Sequence, residues 1–341
     1  MKILENYPVE NSLQINSISK YYIEVENKDD FHKLHNFIDF HKLHNFILKN
    51  NLPVLVVGEC TNIVMPDFFD GIVVRPLFNN LNFNKNYVSV GCSVSWHEFV
   101  LKMIDSSIYG FENLSLIPGS VGAAPIQNIG AYGQDVSKLI KQVDCFNYED
   151  GKNITLSNKE CNFSYRNSIL KNNNLIIYNI DFHTNNKKFF NLEYQSIDKY
   201  INANNLDVNN LSLKEISNII CDIRNLVLPD PKKVPNVGSF FKNSIVKKDE
   251  INTTYFKYDD LVLWQIDDQY VKVGSARLIE LIKDEIDTNS SVSIYKNHSL
   301  VLITDSNASQ SDVLKFANTI KQKVFNTFNI LLEVEPMIIA S

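Results

Sequence analysis

The stretch Phe111–Gly133, FENLSLIPGSVGAAPIQNIGAYG, decides how the rest of the chain is read. Four of the chain's eleven glycines, Gly119, Gly122, Gly130 and Gly133, fall within it, beside Ser120, Ala123, Ala124 and Ala131. Glycine reaches positive φ and lets a ligand approach the main chain with no Cβ in the way. Successive N–H groups in such a segment can form a nest that holds an anion. The spacing matches neither the GxxxxGK(S/T) phosphate loop nor the GxGxxG fingerprint. Residue types alone leave two readings open: a site for an anionic cofactor, or a tightly packed buried turn.

The 341 residues are enough for two or three domains and a large core. Apolar and charged fractions are those of an ordinary soluble protein. A formal charge of −6 argues against nucleic acid as the main partner. No apolar run approaches the ~20 residues of a membrane span, and MKILENYPVENS lacks the apolar core of a secretory signal. The five cysteines show no CxxC or CxH spacing, which argues against a zinc site or a disulfide framework and for a reducing, cytoplasmic setting.

Outward from the glycine-rich stretch, Ser17–Val25 reads as a strand and Leu52–Val57 as a short buried one, with a helix between them. That order suggests a βαβ unit. The intervening helix contains DFHKLHNFI at 30–38 and again, letter for letter, at 39–47. Each helical residue turns the chain by about 100°, so a nine-residue shift rotates a side chain by roughly 180°. Phe31, Leu34 and Ile38 then face away from Phe40, Leu43 and Ile47. One copy is expected to occupy the native helix site, the other to extend it outward or break it. The repeat carries four of the seven histidines, which duplicated surface residues explain without a metal.

Val88–Cys92 reads as a strand, and Ser95 with Glu98 has capping-box spacing for the helix that follows. Trp96, Phe99, Val100, Met103 and Ile104 form its buried stripe. Val143–Tyr148 and Leu175–Phe182 are strand-like, Ile219–Arg224 ends a helix, and LPDP at 228–231 marks a boundary. His298–Asp305 reads as a core strand. Ser311–Phe328 is amphipathic along Val313, Phe316, Ala317, Ile320 and Val324. In a final strand within Leu331–Ala340, Glu333 and Glu335 would share a face.

The wording SLIPGSVGAAPIQNIGAYG resembles the flavin-binding core of the UDP-N-acetylenolpyruvoylglucosamine reductases. Further motifs follow in family order from about Val54 to Pro336. VGECTNIV (57–64) is similar to the family's Gly-x-Gly-Ser-Asn flavin loop, with Gly58 and Asn62 in place, Cys60 at the second glycine and Thr61 at the serine. A cysteine held at positive φ there carries about 1 kcal/mol or more of strain. ECNFSYRNS (160–168) resembles the family's Cys-x-Phe-x-Tyr-Arg-Asp-Ser motif, with Asn167 at the aspartate. GSFFKN (238–243) is a second specific match, and LLEVEP resembles the family's Leu-Glu-Pro-Glu ending. Valine stands at 227 where the larger subtype, with its mobile tyrosine loop, has a diphosphate-binding lysine. Arg277 replaces a tryptophan, and Met337 an arginine.

The resemblance implies an α+β fold of three domains. Residues 1–75 with 329–341, and residues 76–226, would form the two halves of a FAD-binding fold of the vanillyl-alcohol-oxidase/PCMH type. Residues 227–328 would form a substrate-binding α+β domain. It further implies FAD held by Gly58, Cys60, Thr61, Asn62, Pro118, Gly119, Ser120, Gly122, Ala123, Ala124, Gly130, Ala131 and Arg224. The substrate, UDP-N-acetylglucosamine enolpyruvate, would meet Tyr165, Tyr194 and Asn243. The implied chemistry is a two-stage reduction in which NADPH reduces FAD and hydride then passes to the vinyl carbon. Arg166 and Glu335 would support developing charge, and Ser239 would protonate the neighbouring carbon. The expected protein is a cytoplasmic monomer serving peptidoglycan synthesis, with no metal, membrane or nucleic-acid partner. Two alternatives remain beside it: another flavin oxidoreductase on the same fold, such as an alcohol oxidase, and a decayed flavin-binding protein. Cys60, Val227, Met337 and the repeat motivate the last of these.

Overall fold

Whether one helix can bury both copies of DFHKLHNFI is a question of phase. The computed structural model, which describes residues 1–48, 52–172, 174–286 and 291–341, contains one continuous helix, Asp29–Leu48. Phe31, Leu34 and Ile38 of the first copy are buried, and the Phe31 ring stacks on Phe146 at 4.6 Å. Phe40, the first apolar residue of the second copy, is 64% exposed. The second copy therefore prolongs the helix; the side chains of Leu43 and Ile47 lie outside the described residues.

The chain divides into two compact units. The first comprises Met1–Tyr7, Ser19–Glu59 and Asp70–Leu226. Its four-stranded sheet runs in the order Lys2–Pro8, Ile18–Val25, Phe68–Pro76, Val54–Val56, the last two parallel. The expected βαβ strands thus share a sheet, but Phe68–Pro76 lies between them. A five-stranded antiparallel sheet follows the order Lys152–Ser157, Ile140–Asn147, Leu175–His183, Tyr87–Gly91, Leu81–Phe83.

This sheet has two buried faces, and a register shift opposite Asp144/Cys145 switches the alternation along Leu175–His183 from one face to the other. Ile176 and Tyr178 join the core around Phe31, Leu34 and Ile38. Ile177, Ile180 and Phe182 join a second core with helix Trp96–Asp105. On that helix the predicted stripe of Trp96, Phe99, Val100, Met103 and Ile104 is buried throughout. Ser95 is its N-cap residue but makes no side-chain capping bond, so the capping-box expectation is corrected. A smaller cluster of Ile197, Ile201, Ile216 and Ile220 joins helices Gln195–Ala203 and Leu213–Val227.

The second unit comprises Pro8–Ile18, Cys60–Phe69 and Val227–Ser341. Strands Asn236–Ser239, Val301–Thr304 and Val292–Ile294 make one antiparallel sheet, and Ser244–Lys247, Tyr270–Val273 and Leu263–Gln265 another. Helix Gln310–Phe328 buries Val313, Phe316, Ala317, Ile320 and Val324, as its period predicts. A capping box of Ser309 and Asp312 starts it.

Two sequence expectations change here. The strand after His298 begins only at Val301; His298 sits in the preceding turn, where its Nδ1 accepts from the Leu300 N–H at 3.2 Å. The C-terminal stretch is no long strand either: Val334 makes an isolated bridge to Phe241, and Met337–Ile338 pairs parallel with Ile63–Val64. Pro336, which has no N–H, interrupts the ladder. Glu333 is exposed and meets Lys242 at 3.1 Å, while Glu335 is half-buried.

Candidate cofactor cleft and proton-donor segment

Strand Val54–Val56 leads into Val57, whose N–H donates to Val74 O at 2.9 Å, and the chain then turns at Gly58. A Cβ on Gly58 would sit 2.5 Å from Ser120 Oγ, and one on Gly122 would sit 2.5 Å from Cys92 Cβ. Both glycines are demanded by close approach. Around them lies a cleft lined by Val56–Glu59, Ser120, Gly122 and Ala123. Arg75, Leu175 and Ile177 are also in its lining. Two Cβ-free approaches and the Arg75 cation in the lining fit a flat, phosphate-bearing group such as FAD.

The anion-nest reading needs revision at the centre of the glycine-rich stretch. The N–H groups of Val121, Gly122, Ala123 and Ala124 donate to Val94, Cys92, Ser120 and Val121 carbonyls. They are engaged by the protein itself, so this segment shapes the wall. Gly119, at φ +112°, makes the turn into it, and its carbonyl accepts from Trp96 N–H at 2.9 Å. Pro118 is exposed and Ala124 buried. Gly130–Ala131 pairs with Gln134–Asp135 in a short hairpin.

Arg166 stands at the corner of a tight turn in which the N–H groups of Ser164 and Asn167 donate to each other's carbonyls. Its φ of +52° is unusual for a side chain with a Cβ. Three contacts fasten the turn to the glycine-rich stretch: Asn128 Nδ2 to Ser164 O at 3.1 Å, Arg166 Nη2 to Gly130 O at 2.8 Å, and Ser168 Oγ to Ile126 O at 2.8 Å. A Cβ on Gly130 would lie 2.3 Å from Asp135 Oδ1, 2.9 Å from Gln134 O and 3.0 Å from Arg166 Nη1, so this glycine makes room for its hairpin partner as well as for the arginine. Tyr165 is exposed, with the Arg166 guanidinium 5.3 Å from its ring centroid.

Arg224 and Tyr194 also belong to the first unit. Helix Leu213–Val227 carries Arg224, whose Nε is buried without a hydrogen-bond partner. Burial pushes its pKa down, and the facing Tyr132 hydroxyl pushes back. Nearby, His97 Nδ1 accepts from Leu116 N–H at 2.9 Å. Burial, and next the Arg224 charge, lower the His97 pKa and favour the neutral ring. Tyr194, half-exposed, meets the Tyr132 ring edge-on at 5.4 Å.

The second unit holds the other predicted residues. Cys60 lies at φ +51°, in the left-handed region that the sequence suggested. Thr61 follows, half-buried, and Asn62 O accepts from Met337 N–H at 3.0 Å. Phe240 and Phe241 are fully buried and anchor GSFFKN, leaving Ser239 and Asn243 half-buried on either side. Phe240 O accepts from Glu335 N–H at 2.9 Å, while Ser239 pairs with Val301. The C-terminal stretch is thereby laid beside the serine. Asn243 Oδ1 accepts from Ser275 N–H at 3.0 Å.

Comparison with known proteins fixes the family. Residues 36–157 match the FAD binding domain, and residues 230–339 the UDP-N-acetylenolpyruvoylglucosamine reductase C-terminal domain. The chain is 34% identical to the UDP-N-acetylenolpyruvoylglucosamine reductase of Bdellovibrio bacteriovorus, over 96% of both. The chain belongs to the UDP-N-acetylenolpyruvoylglucosamine reductase family. The reductase of Flavobacterium johnsoniae is 31% identical, covering 99% of this chain and all of that one. The crystal structure of the Thermus caldophilus reductase superposes with a TM-score of 0.64 at 17% identity, over 97% of this chain and 96% of that one, and shares the fold. Like its family, the chain is an FAD-dependent oxidoreductase of α+β class. Two residues escaped the reading of the sequence. Arg75, which lines the cleft, was signalled only by a charge within the apolar run IVVRP, and Tyr132 by its place in AYG.

Proposed function

We propose that the protein reduces UDP-N-acetylglucosamine enolpyruvate to UDP-N-acetylmuramate, with NADPH as hydride donor, for peptidoglycan synthesis. In this reading residues 1–75 with 329–341, and 76–226, hold FAD, and 227–328 bind substrate. Bound FAD would supply the hydride relay from NADPH to the substrate's vinyl carbon. Gly58, Gly119, Gly122 and Gly130, with Ser120, Ala123, Ala124 and Ala131, would shape its site, with Pro118, Cys60, Thr61, Asn62 and Arg224 around it.

Arg166 offers a planar set of donors to the substrate carboxylate, where negative charge builds as hydride arrives. Glu335 supports the same end as an acid or through a hydrogen bond. Ser239 delivers the proton to the carbon next to the one that takes hydride. A serine is a weak acid in water, so it works by placement against a strongly basic carbon. Asn243 Nδ2 donates to the diphosphate, and Tyr165 and Tyr194 pack on the substrate. We further propose a cytoplasmic monomer.

The observation that carries the reading is the bond from Glu335 N–H to Phe240 O, which joins the main chain of the C-terminal stretch to GSFFKN. Purified protein given NADPH and the enolpyruvyl sugar nucleotide should form a product heavier by two hydrogens. NADPH consumption only in the presence of oxygen, with the sugar nucleotide unchanged, would refute it.

A further inference from the structure

Helix Ser275–Ile282 begins without a cap of its own. Its N-cap residue is Gly274, which has no side chain to accept from the first-turn N–H groups that a helix leaves unpaired. An acceptor comes instead from another part of the chain: Asn243 Oδ1 takes the Ser275 N–H at 3.0 Å. The two ends of the amide are thereby told apart, since only its oxygen accepts.

Pairing register explains why these residues meet. Strand Ser244–Lys247 runs antiparallel to Tyr270–Val273 with Ser244 opposite Val273, so the residues just before one strand lie across from those just after the other. Ser275 is fully buried there, and its Oγ donates to Lys242 O at 2.7 Å. Lys242 N–H donates in turn to Glu333 O at 2.9 Å, so both main-chain polar groups of Lys242 are engaged. The Ser275 hydroxyl thus holds the peptide that leads into Asn243, and the Ser275 N–H holds the amide at the tip of its side chain.

We propose that Ser275 is a positioning residue for the substrate: it fixes Asn243 from both ends, so that Nδ2 is held ready for the diphosphate of the sugar nucleotide. This rests on the reading of Asn243 as the diphosphate donor. A side chain that is ordered before the ligand arrives spares binding the entropy of ordering it. One amide then serves two tasks, capping the helix with its oxygen and meeting the ligand with its nitrogen.

The test is binding of the enolpyruvyl sugar nucleotide to the oxidised holoprotein without NADPH, read as a change in flavin absorbance, with thermal unfolding measured alongside. Asn243→Ala should weaken binding about tenfold or more, the size of a hydrogen bond to a charged group, and lower Tm. Ser275→Ala, which leaves the N–H in place, should weaken binding about two- to tenfold, the range of a neutral hydrogen bond. In an Asn243→Ala background the same change should weaken it no further. Asn243→Asp keeps an acceptor for the Ser275 N–H and loses the donor. It should hold Tm near that of the wild type while binding falls at least as far as in Asn243→Ala. Unchanged binding in Ser275→Ala would overturn the proposal. So would an equal loss with and without the Asn243 amide, which would mark a structural role alone, or a Tm that falls as far in Asn243→Asp as in Asn243→Ala. A wild type that reduces the sugar nucleotide while Asn243→Ala binds it normally would sink this inference and leave the functional reading standing. A wild type that ignores the sugar nucleotide would sink both.

Discussion

On the proposed function, the two units would meet their tasks by opposite means. In the first, what matters is missing atoms: Gly58 and Gly122 stand where a Cβ would collide with Ser120 or Cys92. In the second, what matters is side chains that are present and held: Ser239 and Glu335 by main-chain pairing, Asn243 by the Ser275 N–H. A cofactor that stays bound needs shape; a transient charge needs placed donors. Even the glycines differ. Gly238, beside Ser239, has nothing within 4 Å of where its Cβ would go and is required only by its φ of +73°.

This contrast divides the reaction into halves that mutations should separate. Ser239→Ala should leave flavin reduction by NADPH nearly intact and slow reduction of the sugar nucleotide about 10²–10⁴-fold, the usual contribution of a placed acid. Stopped-flow absorbance reads each half alone, and equal loss in both would remove the proton-donor role. Gly122→Ala should cost about 1–3 kcal/mol by overpacking against Cys92, and weaken FAD as the wall shifts. Gly238→Ala should cost about 1 kcal/mol from φ strain alone, with FAD affinity unchanged. Denaturant unfolding with and without added FAD distinguishes them, and equal FAD loss in both would erase the contrast.

A smaller effect should come from pH. His97 has a folded-state pKa below its unfolded value of 6.5, so its contribution to stability is present above that pH. As pH falls through 6.5 toward the folded pKa, the unfolded chain takes up protons that the folded one refuses, and stability drops. His97→Gln, which keeps an acceptor for Leu116 N–H, should flatten part of that slope, of order 1 kcal/mol per unit of pKa shift. Burial also lowers the His298 pKa, so His298 in the second unit should retain its share. An unchanged slope would show that His97 is not protonation-sensitive.

How much of this was legible depended on whether a residue's task was local. The period of Trp96–Ile104 and of Val313–Val324 marked their buried stripes because helix packing repeats every 3.6 residues. Close approach at Gly58 and Gly122 was hinted at by composition, but which atoms they avoid was not. Main-chain accounting overturned the nest at Val121–Ala124, since two of its four acceptors, Val94 and Cys92, lie far back in the sequence. Arg75 and Tyr132 were missed because a single arginine or tyrosine has no local signature. The repeat gives the clearest case, since identical letters are buried at Phe31 and exposed at Phe40. Deleting residues 39–47 should therefore change thermal stability least of all these alterations; loss of folded protein would show that both copies are required.

The central claim is an FAD reductase acting on an enolpyruvyl sugar nucleotide. It is tested most directly by a flavin absorbance trace of the purified protein without oxygen, given NADPH and then the sugar nucleotide. The account predicts bleaching by NADPH and return of the oxidised spectrum on adding the sugar nucleotide. A flavin that stays bleached until oxygen is admitted would contradict it.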